Sequence, residues 1–251
     1  MSSIERSSPK SKSEYVAQRL LDRIITSKLT SGSNFGTEAE LLAQFDVSRP
    51  TLRESLRILE AQGVIELRPG PKGGILVSKP GMDVLAHSLS VYLRLHEVPF
   101  IEVLKARETI EPALAAAAAN DRSDEDLAEM QASVDRIRAS ATEADFIEEN
   151  RRFHSIIANA SRNEVMKIFW STISILAAGE QYGVSYSPAN QRHVVDAHQA
   201  IVDAIRAGDA QLAADRMGAH VRELEQLVRK RYQSLLGKAT NIVDRQGRRL
   251  D

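Results

Sequence analysis

Val47-Ser48-Arg49-Pro50-Thr51-Leu52-Arg53-Glu54-Ser55-Leu56 decides the fold of the first third of this chain. Ser48 suits a helix N-cap, because its hydroxyl can accept a hydrogen bond from an unpaired first-turn N–H, and Pro50 falls where that turn needs no donor. Leu52, Leu56 and Leu59 recur at helical spacing as a buried stripe, and Gly63 is a natural stop. Arg49, Arg53 and Arg57 recur at i, i+4 and i+8, so they share the other face. Upstream, Thr37-Glu38-Ala39-Glu40 is a capping box that opens a second helix, whose apolar face is Leu41, Leu42 and Phe45. Only a short turn at Asp46-Val47 separates the two, which is the helix-turn-helix pattern.

In that pattern the start of the second helix enters the major groove. Arg49 and Arg53 can each pair with guanine O6 and N7 or clamp a phosphate, while Ser48 and Thr51 can donate to phosphates at the helix N-terminus. Arg57 lies a turn further on, and a solvated face paired with Glu54 reads equally well there. Val16, Leu20 and Ile24 mark a first helix over 14–25. Val64 to Leu67 and Ile75 to Val77 flank a loop rich in Gly and Pro, which reads as a β-hairpin wing with Arg68 and Lys72 near the phosphate backbone. No GxxxxGK[ST] occurs, so a nucleotide-binding P-loop is excluded. The expectation is a disordered tail over 1–12 and a winged helix-turn-helix over 13–79.

The chain of 251 residues carries a formal net charge of −1, which argues against a nucleic-acid binder until it is divided. Residues 1–80 hold 12 Lys/Arg against 9 Asp/Glu, a net of +3, and the rest carries −4. The break falls at Ser78-Lys79-Pro80-Gly81, a turn-forming joint. The absence of cysteine excludes disulfides, Cys-zinc sites and thiol catalysis. There is no apolar run of membrane-spanning length and no secretory signal, so a cytoplasmic protein with no membrane partner is expected.

Beyond the joint, long Ala/Leu/Ile/Glu/Arg stretches predict seven helices, at 82–94, 98–119, 123–140, 143–160, 163–178, 189–207 and 209–236. Short connections favour an antiparallel all-α bundle over 82–236, followed by a basic tail over 237–251. His154, His198 and His220 fall on apolar stripes of three different helices. A single inward histidine is usually a core residue, whereas three from facing helices can build a metal site with an open coordination position. Spacing alone leaves these two readings even. His193 reads either as near that site or as merely exposed. Arg107 reads as a carboxylate clamp or as an i,i+4 partner of Glu111, Asn163 as a cap or a ligand contact, and Tyr182 and Tyr186 as pocket lining or packing.

Val-Ser-Arg-x-x-x-Arg-Glu-x-Leu over 47–56, with Glu38-Ala39-Glu40-Leu41-Leu42 before it and Leu59-Glu60-Ala61-Gln62-Gly63-Val64-Ile65 after it, resembles the GntR family of bacterial transcription regulators. Ala39 stands where some members have a further arginine. Arg107-Glu-Thr-Ile-Glu111-Pro112, Asn150-Arg-Arg-Phe153-His154, Ser161-Arg-Asn163, Ala197-His198-Gln199-Ala200-Ile201, Ala207-Gly208-Asp209 and Met217-Gly-Ala-His220 are similar to the FCD effector domain of FadR-type members. The resemblance implies a regulator that binds double-stranded operator DNA as a homodimer through Arg49 and Arg53. It also implies a divalent metal, Zn or Ni by the chemistry of imidazole ligands, on Asn150, His154, His198 and His220. Asn150 stands where Asp is usual, so it brings an amide oxygen without negative charge. A small carboxylate or sugar-acid effector would complete the coordination, with Arg107, Asn163, Tyr182 and Tyr186 as candidate contacts. Two other readings stay open: a DNA-binding dimer without metal or effector, and a His-metal hydrolase, for which no HExxH motif exists.

Overall fold

A computed structural model describes residues 11–70, 74–244 and 248. The chain divides into two compact units, Met1–Val84 and Leu85–Asp251.

In the first unit α1 (Lys12–Thr26), α2 (Glu38–Phe45) and α3 (Arg49–Ala61) surround a core that includes Leu20, Leu41, Leu52 and Leu59. The capping box expected at Thr37 forms with Glu40 on α2, and a second, Ser11 with Glu14, opens α1; each satisfies unpaired first-turn donors. Asp46 ends α2 in the left-handed conformation, at φ 48°. Short polar side chains tolerate that region, and it turns the chain sharply enough for Ser48 to cap α3 three residues after Phe45. Gly63 follows α3 at φ 72° and releases the chain into the sheet.

That sheet differs from the expected two-stranded hairpin. β2 (Ile65–Arg68) and β3 (Gly74–Val77) pair antiparallel, with Ile65 opposite Val77 and Arg68 opposite Gly74. A third strand, β1 (Asn34–Gly36), pairs on the far side of β3, giving the order β1-β3-β2. Phe35 from β1 is buried in the core of the unit, so the extra strand anchors the wing to the helices.

The second unit holds all seven expected helices: α4 (Met82–Leu95, from Leu85 onward), α5 (Phe100–Asp121), α6 (Asp124–Arg138), α7 (Glu143–Ala160), α8 (Glu164–Leu176), α9 (Pro188–Ala207) and α10 (Ala210–Arg231). Side-chain caps at Ser123, Thr142, Asn163, Ser187 and Asp209 start five of them. α5 packs against α7, α8, α9 and α10. It buries Leu104, Glu111, Leu114 and Ala118. One core cluster joins α5, α6, α7, α9 and α10 through residues such as Phe153, Ile201 and Met217. A second cluster joins α4, the start of α5 and the chain beyond α10.

The basic tail is not separate from the bundle over its described part. Phe100 N donates to Lys238 O at 2.9 Å, Thr240 N to Val98 O at 2.9 Å, and Val243 N to Ser90 Oγ at 3.2 Å. Val243 is buried, and its carbonyl meets His87 Nδ1 at 2.6 Å. Apolar Val243 and Leu235 outweigh the local positive charge and bring this segment onto its own bundle.

Candidate functional site

The first unit presents the arginines of α3 to solvent. Ser48 caps the helix, and its hydroxyl lies 2.8 Å from that of Thr51, so the two are held together at the helix N-terminus. Glu38 on α2, which the sequence reading did not single out, engages two arginines at once. Arg53 Nε donates to both of its oxygens at 3.0 and 3.1 Å, and Arg49 Nη1 stands 3.8 Å from Oε1. The Arg53 hydrogen bonds use Nε, so the terminal Nη donors stay available while the side chain is held in place. Exposed pairs of this kind are worth about 1 kcal/mol at most, so a phosphate can displace them.

Arg57 pairs with Glu54 at 3.7 Å and Arg68 with Glu66 at 2.9 Å. A groove of about 430 Å³ runs between α3 and the wing, and Arg53, Arg57 and Arg68 line it with Glu38. Lys72 lies outside the described residues.

The histidine centre is built in the second unit. His154 comes from α7, His198 from α9 and His220 from α10, and all three are buried. His198 Nε2 is 3.1 Å from His220 Nε2, which is 3.2 Å from His154 Nε2. Phe153 stacks on the His198 ring with centroids 3.7 Å apart and planes 11° from parallel, fixing that imidazole's orientation. His154 Nδ1 sits against Glu111 Oε2, while Glu111 Oε1 takes the Nε–H of Arg107. A carboxylate at Nδ1 puts the ring proton on that nitrogen and turns the Nε2 lone pair toward the other two rings.

Glu111 is the residue that sequence reasoning placed wrongly in importance: it read only as the partner of Arg107. Burial works against its charge. The Arg107 guanidinium and His154 outweigh that and hold its carboxyl well below the usual carboxylate range. Burial drives the pKa values of His198 and His220 well below the ordinary histidine range, and their histidine neighbours add to the effect. Both are therefore neutral near pH 7, the form that ligates metal.

The donor set fits a divalent ion. Three imidazole nitrogens at this spacing cannot all satisfy one another, because each contact uses one N–H and one lone pair. A cation accepts all three lone pairs. Two imidazoles on a tetrahedral zinc, each at about 2.0–2.1 Å, stand roughly 3.3 Å apart, close to the spacing seen. Among the described residues, His154, His198 and His220 form the one group of three or more His, Cys, Asp or Glu able to hold a metal. Asn150, one turn before His154, shares the wall of the adjoining cavity and can offer an uncharged oxygen.

That cavity measures about 240 Å³ and is bounded by Arg107, Asn150, His154, His193, His220 and Tyr186, among others. Burial pushes the Tyr186 hydroxyl up to about 12 despite the opposing effect of Arg107, so it stays a neutral donor. Arg107 pairs with Glu111, as one of its two readings expected, and it also lines the cavity. His193 sits at the cavity's edge, largely exposed, and pairs with Glu223 at 2.8 Å.

Two expected ligand contacts lie elsewhere. Tyr182 is buried in the other core cluster, stacked on Phe100 with centroids 3.8 Å apart, and its hydroxyl accepts from Asn241 N. Asn163 is exposed and caps α8 by accepting from Met166 N at 3.1 Å. Asn163→Ala should therefore cost about 1 kcal/mol of stability in denaturant unfolding. It should leave the binding of any cavity ligand unchanged in calorimetry.

The buried histidines also set a pH dependence. Their folded pKa values lie below the unfolded value of 6.5, so above that value both states are neutral and stability is flat. Below it the unfolded chain takes up protons that the folded chain excludes, and stability falls as pH falls. Each histidine contributes a slope of up to about 1.4 kcal/mol per pH unit in the chelator-treated protein. Urea unfolding between pH 8 and 5.5 measures it, and a flat profile would contradict buried neutral histidines.

An exposed arginine helix in a helix-turn-helix unit, with a helical bundle in the second unit, defines the class of a DNA-binding transcriptional regulator, and comparison with known proteins agrees. The model of bacterial regulatory proteins of the gntR family matches residues 12–77, and that of the FCD domain matches 102–223, which contain every residue of the histidine centre. The chain is 31% identical to the HTH-type transcriptional regulator YcbG of Bacillus subtilis over 85% of this chain and 88% of that one. It is 29% identical to the HTH-type transcriptional repressor NanR of Cronobacter sakazakii, covering 83% of this chain and 82% of the other. A solved Streptococcus agalactiae GntR structure superposes with a TM-score of 0.64 at 25% identity, over 85% of this chain and 99% of that one. The chain belongs to the GntR family and is a DNA-binding transcriptional regulator with an FCD effector domain. Among the described residues, no helix is long and apolar enough to cross a membrane.

Proposed function

We propose that this regulator's affinity for its operator is set by a small carboxylate or sugar-acid effector, bound together with a divalent metal in the bundle cavity. The observation that carries this reading is the convergence of three buried Nε2 atoms, from three separate helices, beside a cavity that His154 and His220 line together with Arg107. His154, His198 and His220 would hold the ion, with Asn150 as an uncharged fourth donor. Zinc and nickel both suit the imidazole set. When bound, the metal supplies an electrophilic site for a carboxylate oxygen, and its hold is weaker than with an aspartate at position 150.

The protein's own groups do the rest. Glu111 fixes the His154 tautomer and anchors Arg107 through Nε, which leaves the two Nη groups to face an anion bidentately. The Tyr186 hydroxyl adds a neutral donor. Two copies, working in the cytoplasm, would set their α3 helices on the two halves of a palindromic operator. Effector binding would favour one arrangement of the DNA-reading units by its differential affinity for it.

Gel-shift titration of zinc-loaded and chelated protein with a panel of small carboxylic and sugar acids tests this. Operator affinity should change with at least one acid, and only in the metal-loaded protein. Indifference to every acid that calorimetry shows to bind would overturn it.

A further inference from the structure

A second, smaller pocket of about 40 Å³ adjoins the main cavity and shares part of its wall, including Arg107, Asn150 and Tyr186. Trp170 and Ser174 of α8 line this side pocket and not the main cavity. Trp170 is 4% exposed, and its indole Nε1–H has no acceptor among the described residues. A buried N–H left unpaired is costly, and native folds rarely keep one without a reason. The Nη groups of Arg107 keep their donors, because its hydrogen bond to Glu111 uses Nε. Ser174 spends its proton on the Ser171 carbonyl at 2.9 Å. The Arg151–Glu180 ion pair, also on the wall, balances its own charge.

Among these side chains donors exceed acceptors, around a space larger than one water needs, which is roughly 10–15 Å³. A water would bring two hydrogens of its own that need acceptors. A carboxylate only accepts, and so matches the excess. Resting on the proposed carboxylate-and-metal reading of the main cavity, we infer that the effector is a short dicarboxylic acid. Its first carboxylate lies at the histidine centre and its second enters the side pocket, where it takes the Trp170 N–H and an Arg107 Nη–H.

The test uses calorimetric titration of full-length, zinc-loaded protein with butyrate, malonate, succinate and glutarate, in the wild type and in Trp170→Phe. Phenylalanine keeps an aromatic six-membered ring at this buried position and loses the pyrrole ring with its N–H, and operator binding without acid confirms that the variant is folded. At least one dicarboxylate should bind the wild type about tenfold or more tightly than butyrate, as expected for a hydrogen bond to a charged group. Trp170→Phe should cut that advantage several-fold and leave butyrate binding unchanged. A wild type without preference for a second carboxylate, or a preference undiminished in Trp170→Phe, would overturn the inference while the metal-carboxylate reading stands. Failure of all four acids, butyrate included, to bind the zinc-loaded wild type would overturn both.

Discussion

Replacing Arg49 and Arg53 together by alanine should abolish specific operator binding while leaving the fold and the effector cavity intact. Each arginine that pairs with a base or clamps a phosphate is worth about 1–3 kcal/mol at one half-site. With both removed from both half-sites of the proposed dimer, the loss is at least about 4 kcal/mol, or roughly a thousandfold in affinity. Stability should barely change, because both side chains are exposed and their contacts to Glu38 are surface ion pairs. Gel shift on operator and on scrambled duplex separates the two roles: a base-reading arginine costs specificity, and a phosphate-clamping one costs affinity for both and flattens the salt dependence. Unchanged operator binding in the double variant would refute α3 as the reading helix.

His198→Ala should remove the metal response completely. A metal that binds only the folded chain stabilises it by about 2.7 kcal/mol at a hundredfold excess over its Kd. Zinc or nickel should therefore raise the melting temperature of the wild type and do nothing for the variant, and a chelator should return the wild type to its metal-free value. The variant starts from a lower baseline, since the buried ring that stacks on Phe153 is gone. Truncating a buried side chain of this size costs on the order of 2–4 kcal/mol, so the comparison is between each protein with and without metal. A stabilisation by metal that survives in His198→Ala would place the ion elsewhere.

The helices of the first unit were legible because their ends carry chemistry: a capping box at Thr37, a Ser-x-Pro start at Ser48, a glycine stop at Gly63. β1 was not. Asn34-Phe35-Gly36 has one apolar residue and no alternation, and it is a strand only because β3 offers an edge and the core takes Phe35. The three histidines could be named from their stripes, but Glu111 could not be given its place. An Arg and a Glu four residues apart read as a surface pair, and only the packing of α5 against four other helices shows that the pair is buried and reaches His154. Tyr182 ends a 3-10 turn (Gly179–Tyr182), Tyr186 follows four residues later, and the two end in different places. Tyr182 is drawn into the stack on Phe100, and Tyr186 is left on the cavity. Glu38 was read only as part of a capping box. Its second role, holding Arg53 and Arg49, depends on how closely α2 approaches α3, which no single-helix pattern encodes.

The most direct measurement is X-ray absorption at the zinc edge on full-length protein loaded with one equivalent of zinc, with and without a bound carboxylic acid. Three imidazole scatterers at about 2.0–2.1 Å are predicted, completed by oxygen, with a change in the oxygen shell when the acid is added. An oxygen-only shell, fewer than three imidazoles, or a spectrum unmoved by an acid that binds the cavity would contradict the claim that His154, His198 and His220 hold the metal that receives the effector.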